Sequence, residues 1–182
     1  MRRRLTRRRA RLLAGVVTVV AVVVVLLMTG LGRDPSVIAS PLVGRAAPNF
    51  TLPQLDGPPV TLAKLRGQVV VINFWASWCT ECQVEQAALD RAWQQFRDSG
   101  VVVIGVNFED STGAARGYVN TEGVTYPVVE DSGSHTALAY GLRGVPETFV
   151  VNRSGRIVSH VIGPVTAATL SGEINAMLAR AQ

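Results

Sequence analysis

The sequence predicts an α/β domain in which a central mixed sheet is flanked by helices, with an N-terminal transmembrane helix in front of it. Two continuous apolar runs, at 69–75 and 101–106, are typical of strands that are covered on both faces of a sheet. Segments with helical spacing alternate with the strand-like runs, and a hairpin closes the sheet. An uncharged run of about 20 residues near the N-terminus predicts the membrane span.

Charge separates the N-terminus from the rest of the chain. The 182 residues include 18 Lys and Arg and 13 Asp and Glu, and the first 33 residues hold eight of the basic residues and none of the acidic ones. The remainder is therefore mildly acidic. A basic run next to an apolar run is explained by membrane topology, so the high isoelectric point does not indicate nucleic-acid binding, and we exclude a nucleic-acid partner.

The N-terminal segments are assigned as a basic cytoplasmic head at 1–11 and a transmembrane signal anchor at 12–32. At a rise of 1.5 Å per residue, about 20 uncharged residues match the roughly 30 Å hydrocarbon core. Arginines before the span keep that end in the cytoplasm, which predicts a single-pass protein of the cytoplasmic membrane with its folded domain outside. The alternative is a cleaved secretory signal with a small-residue site at 37–39.

A linker with scattered Gly, Pro and Ser is expected at 33–46, and the folded domain at 47–182. The domain begins with an N-terminal β-hairpin made of extended segments at 49–52 and 60–62. The elements predicted after it, in chain order, are strand 69–75, a helix ending at Gly100, strand 101–106, helix 114–121, strand 126–129, helix 135–140, strands 148–151 and 157–162 around a turn at 152–155, and helix 167–179.

The chain has only two cysteines, Cys79 and Cys82, where the strand 69–75 leads into a helix. Two intervening residues in a first helical turn put both sulfurs on one side, close enough for a disulfide. Cys79 at the helix N-terminus would be the nucleophile, because free N–H groups and the helix dipole lower the pKa of a thiol. Cys82, one turn further in and more covered, would be the resolving thiol. We expect a redox-active pair that needs no cofactor and binds no metal.

Two other interpretations of this pair stay open. A structural disulfide is compatible with an exported domain, although stabilising bridges normally close longer loops. A zinc site would need further ligands, and the chain has no third cysteine and only two histidines, His135 and His160.

Three segments carry a family resemblance. Residues 74–82 (FWASWCTEC) resemble the active-site strand and turn of thioredoxins, and residues 144–149 (GVPETF) resemble the cis-proline loop of the thioredoxin-like reductases of cytochrome c maturation, the TlpA, ResA and DsbE type. The opening at 44–52 (GRAAPNFTL) is similar to that group and to the related peroxiredoxins of the AhpC/TSA superfamily. The resemblance covers about 44–180 and implies a thioredoxin-like three-layer sandwich with thiol:disulfide oxidoreductase activity.

The resemblance also implies which residues bind substrate: Trp78, Val145, Pro146 and Glu147. Pro146 would be cis, with its loop against the disulfide, so that the backbone of Val145 can pair with an extended substrate strand. Glu147, the next residue, would shape the choice of substrate.

Acidic residues are the candidates for proton transfer. Asn73 falls where thioredoxins place a buried aspartate that accepts the proton of the second cysteine, and asparagine cannot titrate. Glu85, three residues after Cys82, matches the acidic position of the maturation-type reductases and is the candidate base; a solvated helix carboxylate is the alternative. Glu109 matches a second acidic position near the site, where it would tune the redox behaviour.

Glu81 departs from the dipeptides that familiar relatives place between their cysteines. A carboxylate at this position, with Glu85 one turn further on, opposes the thiolate that the helix N-terminus favours. A less stabilised thiolate means a less stabilised reduced form, so the sequence predicts a low-potential pair that donates electrons.

The expected function is reduction of a disulfide in an exported protein, with apocytochrome c as the expected client and a membrane thiol carrier as the electron donor. The stretch 108–130 resembles the extra strand and helix of the maturation group and favours a specific partner. Oxidative folding of secreted proteins is the second hypothesis. A peroxidase is third, because the residues before Cys79 lack the Pro-x-x-x-Thr-x-x-Cys pattern of peroxiredoxins, and a copper chaperone is fourth, because those use three residues between the cysteines.

Overall fold

A five-stranded mixed sheet forms the centre of the domain, in a computed structural model that describes residues 15–21 and 40–179. The strand order is β5-β4-β3-β6-β7; β3 runs parallel to β4 and antiparallel to β6, β4 runs parallel to β5, and β6 and β7 form an antiparallel hairpin. The strands of this sheet are β3 (Val69–Trp75), β4 (Val101–Phe108), β5 (Val128–Asp131), β6 (Glu147–Val151) and β7 (Ile157–Ile162). A separate two-stranded hairpin precedes it, with β1 at Thr51–Leu52 and β2 at Val60–Thr61.

Four α-helices complete the domain: α1 (Thr80–Phe96), α2 (Thr112–Glu122), α3 (His135–Ala139) and α4 (Ala167–Ala179). A 3₁₀ turn at Arg97–Ser99 extends α1, and Gly100 ends it with a left-handed φ of 77°. The lack of a Cβ makes glycine the residue best suited to this conformation. The predicted stop at Gly100 is therefore confirmed.

Strand β3 has no polar face, and all seven of its residues are buried. Its alternate side chains enter two different hydrophobic clusters. Val69, Val71 and Trp75 join residues of α1, α2 and α4, whereas Val70, Ile72 and Phe74 join residues of the N-terminal hairpin and of the α3 region. The continuous apolar run thus identified a central strand correctly, because both faces of the sheet are covered.

The predicted linker boundary needs correction. Within residues 40–46, the Gly44 amide donates to the Ile157 carbonyl at 2.8 Å, and the Ile157 amide donates to the Arg45 carbonyl at 2.9 Å. Ala46 also forms an isolated bridge with Arg156. Residues 44–46 are therefore part of the domain, because their backbone groups find partners at the start of β7.

The N-terminal unit, Met1–Val37, is described only at 15–21, which is helical. The predicted head at 1–11, most of the predicted anchor at 12–32, and residues 33–39 of the predicted linker lie outside the described residues. Within the two described stretches, no helix combines the length and the apolarity needed to cross a membrane.

Candidate active site

Cys79 and Cys82 form a disulfide at the start of α1, with their Cα atoms 5.3 Å apart. Cys79 is the N-cap residue of this helix: its backbone is extended (φ −87°, ψ 109°), and its sulfur accepts a hydrogen bond from the Cys82 amide at 3.1 Å. β3 ends at Trp75, so four residues carry the chain from the buried strand into the helix. The predicted redox pair is therefore brought together as its spacing indicated.

Burial of the two sulfur-bearing residues differs less than expected. Cys79 is 3% exposed and Cys82 2% exposed, so in the disulfide form neither is open to solvent to any large extent. What distinguishes them is their position, because only Cys79 has its sulfur at the helix N-terminus. After reduction, the same N–H group and the helix dipole would favour a thiolate on Cys79.

The Val145–Pro146 peptide bond is cis, as the resemblance implied. β6 begins at the next residue and is paired with β3, with Glu147 opposite Phe74. The loop that carries Pro146 therefore lies next to the end of β3, from which the cysteine turn departs. Val145 is half-buried, and its pairing with a substrate strand stays a prediction.

Glu85 is buried within the domain at 1% exposure, which excludes a solvated helix carboxylate. Its Oε1 accepts from Asn73 Nδ2 at 2.6 Å, and its Oε2 accepts from the Val165 amide at 2.8 Å. Burial raises the pKa of this carboxyl from 4.5 to about 7, against the opposing effect of the two hydrogen bonds. A group with a pKa near 7, one turn after Cys82, can both accept and release a proton at neutral pH.

The side chain of Glu147 is directed into the domain, where it binds other groups of the protein, and its role in substrate choice stays a prediction. It is 1% exposed, and its Oε1 accepts from the amides of Arg143 and Gly144 at 2.8 and 3.3 Å. Its Oε2 lies 2.7 Å from Nε2 of His160, whose ring stacks on Phe149. A buried carboxylate needs such partners. Through them Glu147 connects the proline loop to β7.

Trp78 is 60% exposed next to the buried cysteines, and its indole Nε1 donates to the carbonyl of Glu109 at 3.0 Å. Glu109 is exposed and has a left-handed φ of 47°. Glu109 thus contacts the active-site turn through its backbone carbonyl oxygen. The structure shows no contact between its carboxylate and the redox pair, so the tuning role of Glu109 stays a prediction. Substrate binding by Trp78 stays a prediction.

The acidic side chain that contacts the turn is Asp110, which sequence reasoning missed. Its Oδ2 accepts from the Ser77 amide at 2.7 Å and from Asn107 Nδ2 at 3.1 Å, and its Oδ1 accepts from the Ser111 amide at 2.8 Å. Burial opposes the charge, but these hydrogen bonds outweigh it and hold the pKa of Asp110 below its usual range. The one feature of the sequence that could have indicated this role is that Asp110 directly follows Glu109.

Glu81 is an exposed residue in the first turn of α1, as expected. His160, the partner of Glu147, is the other residue that sequence reasoning did not assign to the site, and a lone histidine in a strand carries no signal for such a contact. In residues 15–21 and 40–179, no three His, Cys, Asp or Glu side chains lie close enough together to bind a metal ion.

A disulfide at a helix N-terminus, beside a cis-proline loop on a five-stranded mixed sheet, defines a thioredoxin-like thiol:disulfide oxidoreductase. Comparison with known families agrees, and the chain belongs to the AhpC/TSA family, whose model matches residues 43–160.

Individual relatives carry the same activity in their names. The chain is 41% identical over 160 residues to the thiol:disulfide interchange protein DsbE of Allochromatium vinosum, covering 86% of this chain and 87% of that protein. It is 37% identical over 149 residues to the thiol:disulfide interchange protein HelX of Rhodobacter capsulatus, covering 80% and 82%. It is 33% identical over 132 residues to the thiol-disulfide oxidoreductase ResA of Bacillus subtilis, covering 72% and 74%.

A solved structure gives the same result. The thiol:disulfide interchange protein of the thioredoxin family from Chlorobium tepidum superposes with a TM-score of 0.68 at 25% identity, covering 73% of this chain and 95% of that one. The predicted thioredoxin-like fold and the predicted oxidoreductase activity are both confirmed.

Proposed function

We propose that this oxidoreductase is tethered to the cytoplasmic membrane by residues 12–32 and reduces disulfides of exported proteins on the outer side, with apocytochrome c as its client. Electrons would come from a membrane thiol donor, and the cysteine pair would be the only redox group. The likeness to DsbE, HelX and ResA supports the class of client, and the basic and apolar N-terminal runs support the location.

The observation that carries this proposal is the buried Glu85 carboxylate one turn after Cys82. In the reduced enzyme, the Cys79 thiolate attacks the client disulfide, forms a mixed disulfide and releases one client sulfur as a thiolate. Glu85 then accepts the proton of the Cys82 thiol, and the Cys82 thiolate attacks the Cys79 sulfur. The bond between Cys79 and the client breaks with its electron pair on the client sulfur, which leaves the enzyme oxidised and the client reduced.

The acidic groups around the pair support the proposed direction of electron transfer. Glu81 stands in the first turn of α1 and Glu85 in the next, and a negative charge at either place opposes a thiolate on Cys79. The reduced form is then less stable and gives up its electrons more readily. The hydrogen bond from the Cys82 amide to the Cys79 sulfur acts in the opposite sense, and it is the observation that favours oxidative folding as the second candidate.

Redox equilibration of the full-length protein with glutathione and with dithiothreitol decides between the two directions. A reductant is expected to have a potential well below about −200 mV, whereas strongly oxidising periplasmic enzymes lie near −120 mV. A value close to the latter would overturn the reductase and support the oxidase.

Trapping in cells identifies the client. Cys82→Ser should retain a mixed disulfide on Cys79, and the matched control with both cysteines replaced by serine should retain none. Apocytochrome c among the trapped proteins is the expected result. Secreted proteins without haem-attachment cysteines, captured in its place, would contradict the proposed client.

A further inference from the structure

The side-chain amide of Asn73 has an unusual distribution of hydrogen bonds. Its Nδ2 lies 2.6 Å from Glu85 Oε1 and 3.0 Å from Thr148 Oγ1, so the nitrogen has both contacts. Its Oδ1 is buried and has no hydrogen-bond partner among the groups that the structure describes. Asn73 itself is 1% exposed. A buried carbonyl oxygen without a hydrogen bond is unfavourable, so the unpaired Oδ1 of Asn73 beside Glu85 needs an explanation.

Rotation of the amide by half a turn exchanges its oxygen and its nitrogen. In the rotated orientation Oδ1 would stand where Nδ2 now stands, facing Glu85 and Thr148. A threonine hydroxyl donates as readily as it accepts, so Thr148 suits both orientations. One amide atom is unpaired in either case, and the difference between the two orientations therefore comes from Glu85.

Glu85 prefers opposite partners in its two protonation states. The carboxylate has only acceptors and needs the N–H of Asn73, whereas the carboxylic acid has an O–H that needs an acceptor. We propose that Asn73 is a positioning residue whose amide turns with the proton on Glu85, donating N–H to the carboxylate and accepting O–H from the acid. This inference rests on the proposed function, in which Glu85 takes the proton of Cys82.

Rotation of the Asn73 amide would keep the proton on Glu85 while Cys82 attacks. When the Cys82 thiol transfers its proton to Glu85, the new O–H meets a repelling N–H until Asn73 rotates. After rotation the acid is hydrogen-bonded on both oxygens, by Asn73 and by the Val165 amide, while the Cys82 thiolate attacks. Loss of the proton to the departing client thiolate or to water returns Asn73 to its first orientation.

Among the described residues, the groups that hydrogen-bond to Glu85 are uncharged, and Glu81, four residues earlier on the same helix, is exposed. Tyr118 of α2 and Tyr126 before β5 interact electrostatically with Glu85, but burial raises the pKa of both phenols far above neutrality. From β6 the facing group is the neutral Thr148, and from the chain before α4 it is the Val165 amide. On α1 itself, Cys82 is held in the disulfide of the oxidised protein. The carboxyl signal of Glu85 itself is therefore the reference for a pH titration of the oxidised form.

Nuclear magnetic resonance of the full-length oxidised protein in detergent micelles tests the proposal. With ¹⁵N in asparagine side chains and ¹³C at the glutamate carboxyl, the Asn73 amide signals should shift between pH 5 and 9 with the same midpoint as the Glu85 carboxyl. In Glu85→Gln, whose side-chain N–H₂ replaces the acid O–H, the Asn73 signals should be independent of pH and lie at the low-pH position of the wild type. Asn73 signals that stay constant while the Glu85 carboxyl titrates would overturn the proposal.

Kinetics separate this inference from the proposed function. In Asn73→Leu both protonation states of Glu85 lose a partner, so we expect the rate of the resolving step at its plateau to fall about tenfold while its pH midpoint moves by less than about half a unit. The matched variant Thr148→Val, which removes only the other partner of Asn73, should leave the plateau rate within about twofold of the wild type. An upward shift of the midpoint by about one unit or more in Asn73→Leu would indicate a fixed N–H donor and overturn the turning amide, whereas an unchanged resolving rate in Glu85→Gln counts against Glu85 as the base.

Discussion

Glu147 and His160 form a buried contact between neighbouring strands, with Glu147 Oε2 2.7 Å from His160 Nε2 and their side chains 1% and 4% exposed. Since a carboxylate only accepts hydrogen bonds, Nε2 is the nitrogen that carries the proton. The other carboxylate oxygen binds the amides of Arg143 and Gly144 in the loop before Pro146. One side chain thus ties the cis-proline loop to β7.

Removal of the imidazole should destabilise the protein. His160→Leu leaves the Glu147 carboxylate buried with only its amide donors, and we expect a loss of about 1–3 kcal/mol in the free energy of unfolding, measured in urea. In a double-mutant cycle with Glu147→Gln, the two losses should couple by about 0.5–3 kcal/mol. The exposed carboxylate variant Glu122→Gln is the control, with a change of about 0.5 kcal/mol or less. Additive losses would contradict the pairing.

Glu85 should make the protein less stable as pH rises. Its pKa is raised from 4.5 to about 7, so between these values the folded state binds more protons than the unfolded state. Stability is then fully present below pH 4.5 and is lost as pH rises through 7, by about 3 kcal/mol in total. Glu85→Gln should abolish this slope and exceed the wild type in stability at pH 8. A wild-type slope in that variant would show that Glu85 is not its source.

Asp110 should matter for protein clients more than for small disulfides. It accepts from the Ser77 amide, and the neighbouring Glu109 carbonyl accepts from Trp78, so loss of the carboxylate frees the turn that presents the exposed indole. For Asp110→Ala we expect about a tenfold loss of rate with a protein disulfide, equivalent to one lost hydrogen bond. With oxidised dithiothreitol the loss should be about twofold or less. Asp110→Asn, which retains an acceptor for Ser77, is the matched control, and equal losses on both substrates would refute the argument.

Glu81 should lower the redox potential. Its removal by Glu81→Gln takes away a charge that opposes the Cys79 thiolate, so the reduced form gains stability and the potential should rise by about 10–20 mV. Equilibration with glutathione measures the change. Asp98→Asn removes an equal charge from the far end of the same helical segment and should leave the potential unaltered. A fall in potential for Glu81→Gln would reverse the proposed sign.

Local patterns predicted most of the elements. β3 was predicted to its ends because a strand covered on both faces needs an uninterrupted apolar run, and α1 because its apolar residues follow helical spacing as far as Gly100. β5 was placed two residues too early, because Tyr126 and Pro127 are apolar but precede the ladder, which starts at Val128. The linker was extended too far for a similar reason, since residues 44–46 have no strand pattern of their own.

The amino-acid sequence by itself determined where the redox chemistry lies, because a cysteine pair two residues apart at a strand-to-helix junction is a local feature. Only the tertiary structure decided what the acidic residues do. Asn73, Glu85 and Val165 meet although they belong to different elements of the fold. Glu147, which was predicted to shape substrate choice, contacts His160 inside the domain. The physical reason is that the environment of a carboxylate is set by neighbours from other strands and helices, and no local pattern encodes them.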